Sequence, residues 1–197
     1  MERALKLERS TIYRWVQEYA PEINKHTKPY LKMTCDSWKC DETYIKIKGE
    51  WHYLYRTMDK QGNTLDWMLS KHRNKKAVKR FFKKLLGNKH IVNPRVINVD
   101  KSPTFPPALN ELQKENHASS ETKLRAIKYL NNSVENDHKF TKSKLRYRQW
   151  YQSFNTARNT LAGMETLRMI QKGQVRYIGK DVIKQNQFVR NLFGLAA

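Results

Sequence analysis

Residues 38–70 read WKCDETYIKIKGEWHYLYRTMDKQGNTLDWMLS, and this stretch decides the fold. β-Branched and aromatic residues alternate with polar ones along it, which is typical of strands with one buried face. Two turn signals interrupt the alternation, at residues 48–50 (KGE) and at residues 59–63 (DKQGN). The stretch therefore predicts a three-stranded antiparallel meander.

Helical and strand-like patterns alternate after the meander. Residues 74–88 (NKKAVKRFFKKLLGN) have apolar side chains at helical spacing, and Gly87 is placed to end that helix. Residues 95–100 (RVINVD) predict a short strand buried on both faces. The later predicted elements are a short helix at 108–115, a strand at 124–130, a helical segment from about residue 131 and a last helix at 155–173. The order βββαβαβα indicates an α/β fold.

The segment before the meander predicts one helix and a linker. Residues 10–19 (STIYRWVQEY) carry Ile12, Trp15, Val16 and Tyr19 at helical spacing, and Pro21 is expected to end the helix. The opposite side presents Arg14 and Gln17, as a recognition helix would present them to DNA; an ordinary amphipathic helix is the alternative. Only nine residues precede it, so the predicted helix-turn-helix is partial. The predicted domains are a helix-turn-helix remnant at 1–21, a basic linker at 22–36, a catalytic domain at 37–172 and a tail at 173–197.

The charge balance indicates a polyanionic partner. Lys and Arg number 39 against 18 Asp and Glu, a formal net charge of +21, and cations that neutralise phosphates gain affinity by releasing counterions. No apolar run approaches the roughly 20 residues of a membrane span, and no signal peptide opens the chain. We therefore expect a cytoplasmic, nucleoid-associated protein that binds DNA; a basic membrane-surface protein is the competing class. Cys35 and Cys40 alone make neither a disulfide framework nor a typical zinc site.

Three carboxylates stand at positions that a core or solvated surface explains poorly. Asp41 lies within the first strand, beside Glu42, which must point to the opposite face. Asp100 ends the buried strand, and Glu135 shares a predicted helix face with several cations. Each acid alone is more simply explained by an ion pair. Together they match two-metal phosphoryl transfer on DNA, with two Mg²⁺ ions held by carboxylates and the phosphates held by Lys and Arg.

The blocks that carry these acids resemble a known family. WKCDETYIKIKGEWHYLYRTMDKQGNTLDWMLSKHR, RVINVDKSP and KYLNNSVENDHKFTKSKLR are similar to the three acidic blocks of the DDE transposases of bacterial insertion sequences, in particular the insertion-sequence-six family. STIYRWVQEYAPE and YQSFNTARNTLAGMETLRMIQKGQ are also similar to it. The resemblance implies a ribonuclease-H-like, retroviral-integrase-like fold, with Asp41, Asp100 and Glu135 as catalytic residues and metal ligands. Lys139 stands where the family more often has Arg.

The resemblance also implies a reaction and partners. The expected activity is Mg²⁺-dependent 3′-end cleavage and strand transfer by a replicative cointegrate route, with Mn²⁺ as an alternative ion. The expected partners are double-stranded DNA, comprising terminal inverted repeats and target DNA, and further copies of the chain in a dimer or larger synaptic assembly. The residues expected to contact DNA are Arg14, Gln17, Lys101, His138, Lys139, Lys142, Lys144 and Arg146.

Two other functions stay open on the sequence. A non-catalytic DNA-binding remnant, left inert by a shortened N-terminal region, would bind DNA in a salt-sensitive way without strand transfer. A cellular nuclease of the ribonuclease H type would cut an RNA–DNA hybrid without preferring insertion-sequence ends.

Overall fold

The computed structural model describes residues 7–100, 102–127 and 151–194 and divides the chain into two compact units. One unit comprises Met1–Leu31 and Ser153–Ala197, and the other comprises Lys32–Gln152. The predicted catalytic domain, 37–172, therefore contributes its last 20 residues to the first unit. The four predicted domains remain predictions, and the two units are described separately below.

The unit Lys32–Gln152 is built on a five-stranded mixed sheet. Its strands are β1 (Ser37–Ile47), β2 (Glu50–Asp59), β3 (Thr64–Ser70), β4 (Val96–Val99) and β5 (Lys123–Ala126). They lie in the order β3-β2-β1-β4-β5. The first three are antiparallel neighbours, whereas β4 runs parallel to β1 and β5 runs parallel to β4. The predicted meander and the predicted α/β fold with a mixed sheet are confirmed.

Turn chemistry sets the register of the meander. Lys48 and Gly49 both have positive φ, 52° and 85°, as a two-residue hairpin turn of type I′ requires, so Ile47 pairs with Glu50 and the ladder continues to Trp38 and Asp59. At the second turn the Asp59 side chain accepts hydrogen bonds from the backbone N–H groups of Gln61 and Asn63, each at 2.9 Å. Both turns were expected from the sequence.

Two helices pack on one face of this sheet. They are α2 (Lys75–Leu86), which begins at an Asn74 cap that accepts from the Ala77 N–H at 2.9 Å, and α3 (Phe105–Lys114), which has two prolines in its first turn. Trp38 and Cys40 of β1 point into the core between sheet and helices. The other core residues include Tyr55, Val78, Phe81, Phe82, Leu85, Ile97, Val99, Phe105, Ala108 and Leu112. The two predicted helices and the buried strand β4 are confirmed.

The unit that contains the N-terminal segment corrects one prediction. Its helix α1 runs from Arg9 to Thr27 and continues through Pro21, so the helix does not end there, and residues 22–27 are helical. Proline lacks the N–H that would bond to the carbonyl of Gln17. Asn159 of helix α4 (Phe154–Gln171) supplies a replacement, because its Nδ2 donates to that carbonyl at 3.2 Å. A tertiary contact thus satisfies the group that proline leaves without a helical donor.

The buried face of α1 also differs from the predicted one. Ile12, Trp15 and Tyr19, expected to be the apolar face, are exposed, whereas Ala20 is buried against α4. The approach is close enough to require glycine in α4, since a Cβ placed on Gly163 would lie 2.7 Å from the Cβ of Ala20. Small residues therefore decided the helix contact, which the spacing of large apolar residues did not reveal.

The same unit contains a helix within residues 173–197, for which only a tail was predicted. Helix α5 (Val182–Leu192) begins at Asp181, whose side chain accepts from the N–H groups of Ile183 and Lys184 at 2.9 and 3.2 Å. A small core joins the ends of α1 and α4 and comprises Leu31, Met169, Ile170 and Val175. Within the described ranges, no helix is long and apolar enough to cross a membrane. The partial helix-turn-helix stays a prediction, since residues 1–6 lie outside the described residues.

Candidate active site

The parallel pairing of β1 and β4 brings two of the predicted acids together. Cys40 pairs with Val99; Asp41 follows Cys40 within β1, and Asp100 follows Val99 directly after the end of β4. Neighbouring strands lie about 5 Å apart. Side chains alternate along a strand, and Cys40 and Val99 both point into the α2/α3 core, so Asp41 and Asp100 project from the opposite face of the sheet. Asp100 is exposed and Asp41 is half-buried, as access by a ligand requires.

A buried cation lies opposite Asp41 on the neighbouring strand. Arg56 of β2 is directly opposite Asp41 in the β1–β2 ladder and is 0% exposed. Directly opposite residues share a face of the sheet, so the guanidinium lies on the same side as Asp41. The Glu42 N–H also donates to Asp41 Oδ1 at 2.8 Å. The Glu42 N–H therefore holds one oxygen of the carboxylate, and Arg56 lies on the adjacent strand. Arg56 was not predicted as a site residue, although an arginine inside a hydrophobic strand was the available signal.

A buried polar residue, Asn98, links β4 to β1 close to the two acids. Asn98 precedes Asp100 by two residues and is buried, and its Nδ2 donates to the carbonyl of Trp38 at 3.0 Å. The bond crosses from β4 to β1 and holds the register on which the proximity of Asp41 and Asp100 depends. After β4 the chain turns sharply, because the Ser102 N–H donates to the carbonyl of Asp100 at 2.6 Å. Asn98 was detectable as the one amide in an otherwise apolar strand.

Glu42 is directed away from Asp41, as the alternation of the strand predicted. Its side chain is 9% exposed and forms an ion pair with Arg73, in the loop after β3. The hydrogen bond that Arg73 donates to Glu42 raises the pKa of Arg73 above its ordinary value. On the neighbouring strand Glu42 faces Tyr55, whose hydroxyl pKa is raised by burial and by the Glu42 charge. Glu42 is therefore part of the α2/α3 side of the sheet rather than of the acidic pair.

The third predicted acid and most predicted DNA contacts fall outside the described residues. These are Glu135, Lys101, His138, Lys139, Lys142, Lys144 and Arg146. Within the part of the chain that is described, no group of three or more His, Cys, Asp or Glu residues is arranged to hold a metal ion. The described part of the site thus consists of Asp41 and Asp100.

The two DNA-contact residues predicted on α1 differ in their surroundings. Arg14 is exposed. Gln17 is half-buried, and its Nε2 donates to Thr160 Oγ1 of α4 at 2.9 Å. The structure therefore gives Gln17 a partner within its own unit and leaves Arg14 on the surface.

The cations of the segment KHRNKKAVKR, also considered for DNA contact, are largely used within the protein. Lys75 and Lys79 of α2 contact Glu111 of α3, and Lys79 and Lys83 contact Glu115. The Lys79 Nζ–Glu111 Oε2 and Lys83 Nζ–Glu115 Oε2 distances are 3.1 and 3.0 Å. Hydrogen bonds from these lysines lower the pKa of Glu115 to about 2. The row of cations on α2 serves mainly to join the two helices.

The two cysteines have different environments. Cys40 is 0% exposed within the α2/α3 core, where burial raises the pKa of its thiol. Cys35 is half-buried, and neither cysteine forms a disulfide. Cys40 is therefore a core residue.

Comparison with known proteins places most of the chain in one family. The family model of the DDE domain matches residues 35–174. The transposase for insertion sequence-like element IS431mec of Staphylococcus aureus is 40% identical over 176 residues, which are 87% of this chain and 74% of that protein. The transposase for insertion sequence element IS257 in transposon Tn4003, also from Staphylococcus aureus, is 40% identical over 175 residues, 86% of this chain and 73% of that protein.

Solved structures show a weaker likeness. The HTLV-2 integrase catalytic core domain in complex with magnesium, in its dimeric form, has a TM-score of 0.47 and 20% identity, over 76% of this chain and 94% of that chain. A chain of the simian T-cell lymphotropic virus intasome in complex with PP2A regulatory subunit B56 gamma has a TM-score of 0.49 and 16% identity. The match covers 76% of this chain and about half, 52%, of that chain.

The family match covers both described acids. It spans β1 to β5 and includes Asp41 and Asp100, which the parallel register places side by side. The ribonuclease-H-like, α/β fold expected from the resemblance agrees with the observed order of strands. The chain belongs to the DDE transposases of bacterial insertion sequences, in the insertion-sequence-six family, whose members are phosphoryl-transfer enzymes acting on DNA.

Proposed function

We propose that this chain catalyses 3′-end cleavage and strand transfer of an insertion sequence. The observation that carries the proposal is the β1–β4 register, which sets Asp41 beside Asp100 at the surface of a protein of net charge +21. Two adjacent carboxylates on a cationic protein are poorly explained as stabilising groups, because like charges side by side repel each other. The repulsion between the two carboxylates is offset when a cation binds between them.

The residues fit a divalent metal site. Carboxylate oxygens on neighbouring strands are the hard ligands that Mg²⁺ selects, and Glu135 is proposed as the third ligand. When bound, two such ions, Mg²⁺ or alternatively Mn²⁺, would supply Lewis-acid stabilisation of the attacking and leaving oxygens. The Glu42 N–H holds Asp41 Oδ1, Arg56 lies directly opposite Asp41 on β2, and Asn98 fixes β4, which leads into Asp100. Such preorganised ligands need little rearrangement before reaction.

The proposed chemistry is two successive transfers at phosphorus. In the first, the oxygen of a water molecule bonds to the scissile phosphorus, the bond to the 3′ oxygen breaks, and the element end is left with a 3′-OH. In the second, that 3′ oxygen bonds to a phosphorus of target DNA, and the target 3′ oxygen leaves. The family resemblance supports a replicative route in which donor and target are joined as a cointegrate.

DNA is held, in this proposal, mainly through its phosphates. The charge of +21 supplies the sequence-independent affinity, and exposed Arg14 is a proposed contact on α1. The proposed contacts around Glu135 are Lys101, His138, Lys139, Lys142, Lys144 and Arg146. The partners are the terminal inverted repeats and the target DNA, bound in the cytoplasm by a dimer or larger synaptic assembly, because two ends must be processed together.

The experiment is end cleavage and strand transfer by the purified full chain. The substrate is labelled DNA carrying the inverted repeats that flank the coding sequence, and the reaction is started with Mg²⁺. We expect Asp100→Asn to reduce cleavage by about 100-fold or more, because changes that only touch a metal ligand's neighbours already cost 10–100-fold. Asp181→Asn is the matched control: it is also exposed, and Asn caps a helix as well as Asp does.

The outcomes separate the proposal from its alternatives. Full activity of Asp100→Asn would exclude the ligand role of that residue. A wild-type chain that binds end DNA but neither cleaves nor joins it would indicate the inert DNA-binding protein. Cutting of an RNA–DNA hybrid without preference for the repeats would indicate a nuclease.

A further inference from the structure

An aromatic surface remains at the tip of the β1–β2 hairpin. We call it the aromatic platform and define it as Tyr44, Trp51 and Tyr53. Trp51 is 59% exposed and Tyr44 is 48% exposed, whereas Tyr53 is half-buried. The Tyr44 ring centroid lies 6.2 Å from that of Trp51 and 5.4 Å from that of Tyr53, each pair in an edge-to-face arrangement. These three rings form one continuous surface.

Core packing does not account for the platform. Tyr55, the next residue on the same face of β2, is fully buried against Phe81 of α2, so the cover of the helices ends between Tyr55 and Tyr53. Cross-strand aromatic pairs stabilise a hairpin, and Tyr44 does face Tyr53 across the ladder. Cross-strand pairing does not require an indole that is exposed to solvent, because a smaller side chain at this position would pair as well. Trp51 therefore presents a surface that its own hairpin does not use.

Cations surround the platform. Lys46 pairs with Trp51 across the ladder, and its Nζ lies 5.6 Å from the centre of the indole ring. Arg73 Cζ lies 5.9 Å from the centre of the Tyr44 ring and is held there by its ion pair with Glu42. Lys48 is exposed in the turn of the hairpin, and Lys71 is exposed directly after Ser70, which pairs with Tyr53. Glu50 is the exposed acid of the same hairpin. The local charge is therefore positive, and Arg73 is anchored rather than free to move away.

Exposed rings interleaved with cations suit one class of ligand. Proteins that bind single-stranded nucleic acid stack bases on aromatic side chains and hold the adjacent phosphates with Lys and Arg. An intact duplex hides its base faces, so such a surface reads unpaired bases. A protein partner that covers aromatic side chains would not require the anchored arginine or the lysine over the indole.

We infer that the aromatic platform binds unpaired bases of a DNA strand by stacking on Trp51 and Tyr44, with Lys46 and Arg73 contacting the neighbouring phosphates. The platform lies on the face of the sheet opposite to Asp41 and Asp100, so it is a site separate from the acidic pair. Binding there requires neither the carboxylates nor a metal. The inference therefore does not depend on the proposed transfer reaction.

The experiment measures how much of the affinity for a single strand depends on its bases. Two fluorescein-labelled strands of equal length, about 20 nucleotides, are compared by anisotropy in EDTA at about 0.15 M salt. One is oligo-dT, and the other is an abasic strand with the same phosphates. The variants are Trp51→Ala, Trp51→Phe and, as control, Tyr177→Ala, which removes an exposed aromatic side chain in the other unit.

Stacking of one base corresponds to roughly a 5- to 150-fold change in affinity, from the usual cost of alanine substitution. We expect Trp51→Ala to weaken oligo-dT binding about 5-fold or more while changing the abasic strand less than about 2-fold. The Trp51→Phe variant keeps an aromatic ring, so its affinity for each of the two DNA strands should stay within about 3-fold of the wild-type affinity. Tyr177→Ala leaves both affinities unchanged.

Several results would overturn the inference. One is an equal loss on the two strands, which would mean that only charge was disturbed, and another is no loss on either. A third is a shift of oligomeric state in Trp51→Ala, which would assign the platform to a second copy of the chain. If Trp51→Ala is not folded by circular dichroism, Tyr44→Leu, which keeps an apolar contact, replaces it with the same expectation. The measurement is binding in EDTA, where no metal-dependent cleavage takes place, so failure here is distinct from failure of the cleavage assay.

Discussion

Substitution of Gly163 by Ala tests the contact between α1 and α4, because the contact decides whether the change in the free energy of unfolding is positive or negative. Alanine in a helix interior is normally favoured over glycine by about 1 kcal/mol. Here the new Cβ would lie 2.7 Å from the Cβ of Ala20, well inside van der Waals contact. A Cβ is fixed to its backbone, so relief requires the helices themselves to separate.

The magnitude follows from these two opposing effects. Overpacking of a well-packed contact costs about 1–3 kcal/mol, commonly enough to exceed the gain in helix propensity. We expect Gly163→Ala to destabilise the unit by up to about 2 kcal/mol in net free energy. Ala20→Gly alone loses about 1 kcal/mol of propensity. The double variant removes the overlap, so it should be more stable than Gly163→Ala although it contains an additional destabilising glycine.

The assay is amide hydrogen exchange of α1 and α4, followed by mass spectrometry on the four proteins of the double-mutant cycle. Exchange of slow amides reports the free energy of opening of the unit to which they belong. A coupling energy of at least about 1 kcal/mol, with the sign that favours the double variant, is expected. Stabilisation by Gly163→Ala, with no coupling to Ala20→Gly, would refute the close approach of the helices.

Two further predictions concern the unit that contains the sheet. Asn98→Leu leaves the buried carbonyl of Trp38 without its donor and should lower the free energy of unfolding by about 1–3 kcal/mol in urea, whereas exposed Asn110→Ala should have little effect. Because the pKa of Glu115 is lowered to about 2 in the folded state, its stabilising effect is present above its unfolded pKa and is lost as the pH falls from about 4.3 towards 2. Glu115→Gln should therefore lower the melting temperature by a few degrees at most at neutral pH, because exposed ion pairs are screened by solvent. The difference in melting temperature from wild type should vanish at about pH 2. A difference that persists at that pH would contradict the assignment of the ion pairs.

The local sequence predicted the elements of the sheet because their information is local. Alternation of side chains, the Lys48-Gly49 turn and the apolar run before Asp100 each depend on a few neighbouring residues. The same alternation correctly predicted that Asp41 and Glu42 point to opposite faces. Where a signal was local but weak, as for Asp181 at the start of α5, the element was missed.

Predictions about α1 were wrong where the outcome depended on another helix. Pro21 was expected to end α1, but the carbonyl it leaves without a donor is satisfied by Asn159, which lies far away in the sequence. The large apolar residues were expected to be buried, but the small pair Ala20 and Gly163 determines the contact. Periodicity reports the size and polarity of side chains, and it does not report which face finds a partner.

The amino-acid sequence alone determined the family of this protein, the strand order along the chain and the identity of the acids that we propose as ligands. Only the tertiary structure decided that β4 lies parallel to β1 with Cys40 beside Val99, and hence that Asp41 and Asp100 are neighbours. It also decided that Glu42 pairs with Arg73 and that the aromatic platform is exposed. The reason is that strand pairing and burial join residues about 30 to 60 positions apart, and the energy of such contacts depends on the packing of the whole unit rather than on any short segment.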